Sequence, residues 1–290
     1  PFPDDTLASP TPLVKDDKNR TLAITDTHTF SGTLFNEARF GYFSLDNSRK
    51  LDESLLGPGL TSRDLGILSP ASVFAPGPPT DRMPRFSGTR NYSNFSVAPN
   101  DIYNQRQQVT FTFADNLTYL RGDHTLRFGF DHKRNYYDTS LPEEQAGDYE
   151  GFYNWSQFLV SWVPEADTAF GVTEKQFRFN DLSFYVSDDW RFNDRLTLNL
   201  GVRWDWFGRP VEKNGRFANF DFSRVTDPNN IIPGFILPKN AKETGIPAID
   251  ASLPSIARAD NNHTLNGQDL NNFAPRVGFA WKPFKSDRTV

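Results

Sequence analysis

Histidines are the first residues to test for chemistry, because imidazole binds metals and moves protons near neutral pH. This sequence has four, His28, His124, His132 and His263, and no pair falls at a metal-ligand spacing. No Ser/His/Asp set has the strand–turn–helix context of a nucleophile elbow, and no glycine-rich phosphate loop occurs. Cysteine is absent from the 290 residues, which removes thiol chemistry and a disulfide scaffold. The residues therefore point away from an enzyme, a metal centre or a bound cofactor.

Charge offers a second kind of site. Residues 138–176 carry eight acids (among them Glu143, Glu144, Asp148 and Glu150) against one base, Lys175. Such a loop either keeps a surface solvated or attracts cations, including divalent ions bridging to lipopolysaccharide; solvation is the simpler reading. The formal net charge of −5 gives no case for nucleic acid. Arg121-Gly122-Asp123 resembles an adhesion motif, yet a Gly-Asp pair between two alternating segments is ordinary turn chemistry. Asn-X-Ser/Thr sequons, among them Asn91, Asn94, Asn116, Asn154 and Asn262, carry little weight, because Asn116 falls on the polar side of an alternating segment.

The elements that position these residues show period-two alternation. Val109, Phe111, Phe113, Asp115, Leu117 and Tyr119 oppose Thr110, Thr112, Ala114, Asn116 and Thr118. After Arg121-Gly122-Asp123, Leu126, Phe128 and Phe130 oppose Arg127, Gly129, Asp131 and Lys133. A second hairpin places Leu182, Phe184, Val186 and Trp190 against Ser183, Tyr185, Ser187 and Asp189, turns at 192–195, and continues as Leu196, Leu198, Leu200, Val202, Trp204 and Trp206. A hairpin over about 21–45 turns near Ser31-Gly32, with Ala38, Phe40 and Tyr42 opposite Glu37, Arg39 and Gly41. A seventh strand over about 274–283 shows Val277, Phe279 and Trp281; a turn at Phe284–Arg288 leads to the start of an eighth at Thr289-Val290.

The pattern predicts an all-β, antiparallel transmembrane β-barrel. Aromatics make up 14% of a chain whose hydrophobic content is 37% and whose mean hydropathy is −0.59. No run of 18 apolar residues exists, so no transmembrane helix is expected. A thin apolar skin around a polar lumen reconciles many aromatics with a hydrophilic chain. The face opposite the aromatics is Thr, Asn, Ser and Gly with scattered Arg and Asp, as a lumen requires. Short turns alternate with connections of about 46–104, 138–176 and 208–273, read as irregular extracellular loops above short periplasmic turns. Tyr119, Trp190, Phe192, Trp281 and Phe284 cluster at the short-turn ends; Tyr136, Tyr137, Trp204, Trp206 and Phe207 cluster at the long-loop ends. These are the two interfacial girdles. A charge at Leu198, taken as mid-depth, is expected to cost about 2–4 kcal/mol, and one at Asn199 little. Seven or eight strands make one arc of a larger barrel, with further strands expected beyond the C-terminal end, and a chain starting at Pro1 without a signal peptide is expected to lack an N-terminal portion.

Phe184-Tyr185-Val186-Ser187-Asp188-Asp189-Trp190-Arg191, with Arg195-Leu196-Thr197-Leu198-Asn199-Leu200-Gly201-Val202-Arg203-Trp204, resembles a barrel hairpin of TonB-dependent outer-membrane receptors. Asn272-Phe273-Ala274-Pro275-Arg276-Val277-Gly278-Phe279-Ala280-Trp281 resembles the next strand of their Oar-like branch, and His124-Thr125-Leu126-Arg127-Phe128-Gly129-Phe130 fits the same pattern. The resemblance covers most of 20–290. It implies residence in the outer membrane of a Gram-negative bacterium and a 22-stranded barrel, of which residues 1–290 are a part. It also implies an N-terminal plug domain and further C-terminal strands not present in this sequence. The implied partners are outer-membrane lipid and lipopolysaccharide, TonB through the N-terminal region, and a substrate such as a siderophore, glycan or peptide. A non-gated porin-like channel and a soluble carbohydrate-binding β-sandwich stand as alternatives.

Overall fold

The computed structural model describes residues 13–51, 66, 85–88, 104–140, 148–152, 156–157, 160, 165–167, 172–242, 250–251, 253–262 and 267–283. Seven long strands form one sheet in chain order: β1 (Leu13–Ser31), β2 (Leu34–Leu51), β3 (Asn104–Arg121), β4 (His124–Ser140), β5 (Glu174–Asn193), β6 (Leu196–Phe207) and β7 (Phe273–Trp281). Each pairs antiparallel with the strand before it. The tight turns are Gly32-Thr33, Gly122-Asp123 and Asp194-Arg195. Gly122 has φ 59°, in the left-handed region that glycine enters without steric cost.

Register fixes which residues share a face, because directly opposed residues point the same way. One row reads Ile24, Phe40, Phe113, His132, Leu182 and Trp206. Another, nearer the short turns, reads Leu34, Tyr119, Leu126, Asp188, Leu200 and Val277. All the aromatic half-patterns therefore fall on one side of the sheet. Ring contacts stitch them together: Phe40–Phe113 at 5.1 Å, Phe130–Phe184 at 5.2 Å and Phe184–Trp204 at 6.2 Å between centroids. Among the described residues no second layer covers this side. Phe113 and Phe184, on central strands, are each 46% exposed, and the one buried hydrophobic among the described residues is Leu253, in a loop. A β-sandwich would bury this face, so that alternative falls, whereas lipid covers it in a barrel.

The apolar belt crosses the sheet obliquely. On β1 it consists of Leu22 and Ile24, whose row reaches Trp206 on β6; on β7 it centres on Val277, whose row reaches Leu200, six residues along. At about 3.4 Å per residue and about 4.8 Å per strand step, that drop over six steps is a tilt of roughly 35°, inside the roughly 35–45° of membrane barrels. At that tilt the stretch Leu196–Trp206 of β6 covers about 28 Å of height, close to the roughly 25 Å of an outer-membrane apolar band.

The strands overrun the belt. β1 to β5 have 17–20 residues, where a tilted crossing needs about 9–11. The long connections therefore start later than the alternation suggested. β2 runs to Leu51, β4 carries Asp138 through Ser140, and β5 begins at Glu174. Beyond the belt the outward positions turn polar (Lys18 and Asp16 on β1, Gln107 and Gln105 on β3), so hydrophobic alternation stops while hydrogen-bond pairing continues.

The connections are also not irregular chain. Asn219–Phe220, Phe235–Leu237 and Ala257–Arg258 form a small sheet inside 208–272. Phe220 packs edge-on against Phe222 and Phe235, and Pro238 is fully buried. A second small sheet joins Arg85–Gly88, Asp148–Phe152 and Glu165–Asp167, tying the first long connection to the second. Strands this short show no alternation to read. The expected turn at 284–288 and eighth strand at 289–290 lie outside the described residues.

The tilt also corrects the depth assignment, since Leu200 and Val202 lie midway along Leu196–Trp206 and Leu198 lies nearer the short-turn edge. Leu200→Arg is expected to lower unfolding free energy in lipid vesicles by about 2–4 kcal/mol, Leu198→Arg by less, and Asn199→Arg, on the opposite face, by under about 1 kcal/mol. Denaturant titration of the reconstituted barrel measures all three, and an equal cost at Leu200 and Asn199 would overturn the facing.

Candidate functional site

The inner face of the arc is the first candidate surface. Its residues come from the polar half of each alternation, so the fold presents them as a wall. Arg203 is its centre: Nε donates to Asp205 Oδ1 at 2.8 Å, and the guanidinium lies 3.6 Å from Asp131 two strands away. Ser183 also donates to Asp205, and Arg127 pairs with Asp189. Higher on the wall, Thr110 Oγ1 donates to Asn135 Oδ1 at 3.0 Å, and Asn135 Nδ2 donates to Asp181 Oδ2 at 3.1 Å. Cross-strand charge pairs of this kind hold side chains upright against the sheet rather than leaving them mobile in the lumen.

One contact on this wall depends on glycine. Gly129 on β4 sits between Asn116 on β3 and Tyr185 on β5. A Cβ there would lie 1.8 Å from the Tyr185 ring, so the ring lies flat over the glycine. That lets Tyr185 OH reach across β4 and donate to Asn116 Oδ1 at 2.8 Å. Asn116 therefore serves as an inward acceptor, as its side of the alternation implied. Alternation located both residues; their union over Gly129 required the register.

Of the polar residues that interrupt the belt on the outward face, two carboxylates have partners on the same face. Asp188 Oδ2 lies 2.7 Å from His124 Nδ1, with His124 stacked on Trp190 at 5.1 Å between centroids. Asp115 accepts from Asn36. Unpaired carboxylates are costly against lipid, so these partners are required of a barrel wall.

Six of the girdle residues named from the sequence share the outward face. Tyr119, Trp190, Phe192 and Trp281 fall in rows near the short turns, with Trp190 and Phe192 edge-on at 5.0 Å. Trp204 and Trp206 lie at the other end of β6, where Trp204 Nε1 donates to the carbonyl of Leu270 at 2.8 Å. Tyr137 and Phe207 do not belong with them. Register puts both on the inner face, one residue out of phase with Tyr136 and Trp206.

The acidic stretch divides. Glu143 and Glu144 lie outside the described residues, while Asp138 and Glu174 belong to β4 and β5. Asp148 and Glu150 fall in the second small sheet, opposite Asp167 and Glu165 respectively. Nothing in the sequence marked these residues as a strand pair.

The 208–272 connection is anchored by a residue that sequence reading passed over. Glu212, 3% exposed, accepts from the backbone N–H groups of Gln176 (2.8 Å), Asn214 (2.9 Å) and Arg216 (2.6 Å), fastening the loop to β5. Asp221 caps the turn Phe222–Arg224; the Ser223 hydroxyl, then the Ser223 backbone N–H, hold its carboxyl below the ordinary aspartate range. That capping contributes above the ordinary aspartate pKa and fades as pH falls through the lowered one.

Replacing Gly129 with Leu is expected to displace the Tyr185 ring and cost about 1–3 kcal/mol of barrel stability. Tyr185→Phe removes only the bond to Asn116 and is expected to cost about 1 kcal/mol. Parallel unfolding curves in vesicles give both values; a neutral Gly129→Leu would show that the ring does not lie there.

Among known proteins, the family model described as outer membrane beta barrel domain matches residues 2–290. No curated protein and no solved structure matches the chain.

Proposed function

This chain belongs to the outer-membrane β-barrel family, and on that premise we propose that it is part of the wall of a TonB-dependent, Oar-like transporter or receptor that moves a hydrophilic substrate across the outer membrane. The observation that carries the reading is the overrun of the strands. β1 to β5 extend about six to nine residues past the belt, roughly 17–25 Å at the observed tilt, and small sheets knit the connections above them. That wall encloses a deep vestibule on the long-loop side, suited to capturing a ligand before it is passed inward. The residues of the β5–β6 hairpin and of β7 that resemble Oar-like receptors lie side by side in the sheet, in the order the resemblance requires. TonB, acting through a plug domain, is the energising partner in this reading, and lipid and lipopolysaccharide surround the belt.

A passive porin shares the belt and the polar wall, and conductance separates the two. A plugged, energised transporter is expected to give no steady conductance in planar bilayers, and its substrate uptake by cells is expected to stop when the proton gradient is dissipated. A large, persistent ohmic conductance, with uptake insensitive to the gradient, would instead establish the porin reading.

A further inference from the structure

Toward the long-loop end the inner face changes character. Nearer the short turns its centre is the charge group of Arg203, Asp131 and Asp205. Beyond that group, register sets aromatic rings on the same face. Phe207, the last residue of β6, sits opposite Asp181. The next row out reads Phe43, Thr110, Asn135 and Phe179, and the row beyond it sets Tyr137 opposite Phe177. The chain bulges after Gly208, which brings Glu212 opposite Phe177. From the segment that follows, Phe217 meets the Phe177 ring edge-on at 5.6 Å and continues the band.

These rings are not a core. Phe207 is 64% exposed and Phe43 38% exposed, on the side of the wall that faces water rather than lipid. Apolar rings held in water are unfavourable until something covers them, and a contiguous exposed apolar patch marks a binding surface. The band is also fixed in place. Its strand residues stand on paired backbone, and Glu212, accepting from the Gln176 N–H at 2.8 Å, fastens the segment that leads to Phe217. Polar groups of both kinds border the rings. Thr110 and Asn135, bonded to each other at 3.0 Å, lie between Phe43 and Phe179. The exposed Lys133 and Asp181 share the row of Phe207. That combination selects the ligand. A polyanionic metal chelate needs an excess of cations, and a wholly apolar ligand leaves Lys133 and Asp181 unmatched. A sugar ring has an apolar C–H face to lay on an aromatic ring and a rim of hydroxyls that both donate and accept.

We propose that this band is a carbohydrate-binding surface on the vestibule wall, and that the substrate is an oligosaccharide. The proposal rests on the reading above, in which the wall encloses a vestibule on the long-loop side, and names the substrate class that reading leaves open. From the row of Phe207 to the row of Tyr137 is four residues along the strand, about 14 Å. That span is too long for a single ring and suits a short chain of them. A chain lying over the band points its inner end at Arg203, Asp131 and Asp205, whose charges bond hydroxyls without favouring one sign.

The test passes the detergent-solubilised full-length protein over immobilised maltohexaose, cellohexaose, xylohexaose and mannohexaose. Wild type is compared with the double variant Tyr137→Leu/Phe207→Leu, which keeps apolar bulk but removes two flat rings, and with Phe207→Trp. The control is Phe192→Leu, which alters an exposed ring on the outward face at the short-turn end. Heat-modifiable gel mobility confirms that each variant is folded. At least one hexasaccharide is expected to bind wild type, and to bind the double variant about tenfold or more weakly, given what aromatic contacts contribute. Phe207→Trp is expected to keep the affinity, and Phe192→Leu to leave it unchanged. Failure of all four sugars to bind, an unaltered double variant, or an equal loss in Phe192→Leu would overturn the site. A ferric catecholate or a hexapeptide that binds wild type, and loses affinity in the double variant, while no sugar binds, would overturn the carbohydrate assignment in favour of that ligand. Uptake by cells separates this failure from failure of the transport reading. Hexasaccharide binding with uptake insensitive to the proton gradient removes energised transport and leaves the band. Gradient-dependent uptake of a ferric catecholate with no hexasaccharide bound removes the carbohydrate surface alone.

Discussion

In hydrocarbon a backbone N–H or C=O has no solvent to turn to, and each one left unpaired costs several kcal/mol. The antiparallel ladder of β1 to β7 answers that constraint, and most of this structure follows from it. Continuous pairing fixes the register; the register fixes the facing of every side chain, and the facing separates an aromatic skin from a hydrogen-bonded wall. The same constraint applies to the outer edges of β1 and β7, each paired on one side only among the described residues. A membrane sheet leaves no such edge bare, and closure into a barrel is what satisfies it.

Each face handles polarity in its own way. The inner wall is free to be polar and uses its charges in cross-strand groups such as Arg203 with Asp131 and Asp205. On the outer skin two carboxylates have a partner at hand, Asp188 beside His124 and Asp115 beside Asn36. Above the belt the rule relaxes, and outward positions become arginine, glutamine and aspartate while the strands continue. The loops above use a third arrangement, in which small sheets and the buried Glu212 carboxylate replace the long ladder.

Much of this was legible in the sequence because period-two alternation records one-sided burial, and lipid imposes it as strongly as a protein core does. All seven strands, their order, the tight turns and the side on which Trp204 or Asn116 falls could be read that way. What could not be read lies where alternation is silent. The upper halves of β1 to β5 are polar on both faces, so their pairing leaves no hydrophobic trace. Tyr137 and Phe207 were grouped with girdle residues by their closeness in sequence, although a one-residue offset in a strand reverses the face. Tyr137 and Phe177, distant in sequence, come side by side only through the β4–β5 register, and Phe217 joins them only because the chain bulges after Gly208.

The central claim is that one face of this sheet meets lipid and the other a polar lumen, with the boundary set residue by residue. The most direct measurement is a spin-label scan along β6, one label at a time from Leu196 to Trp206 in the reconstituted protein, recording accessibility to oxygen and to a water-soluble nickel chelate. The account predicts a strict period of two, with oxygen accessibility highest at Leu200 and Val202 and nickel accessibility highest at Asn199, Gly201 and Arg203. Uniform accessibility along the strand, or oxygen maxima at the odd-numbered positions, would contradict it.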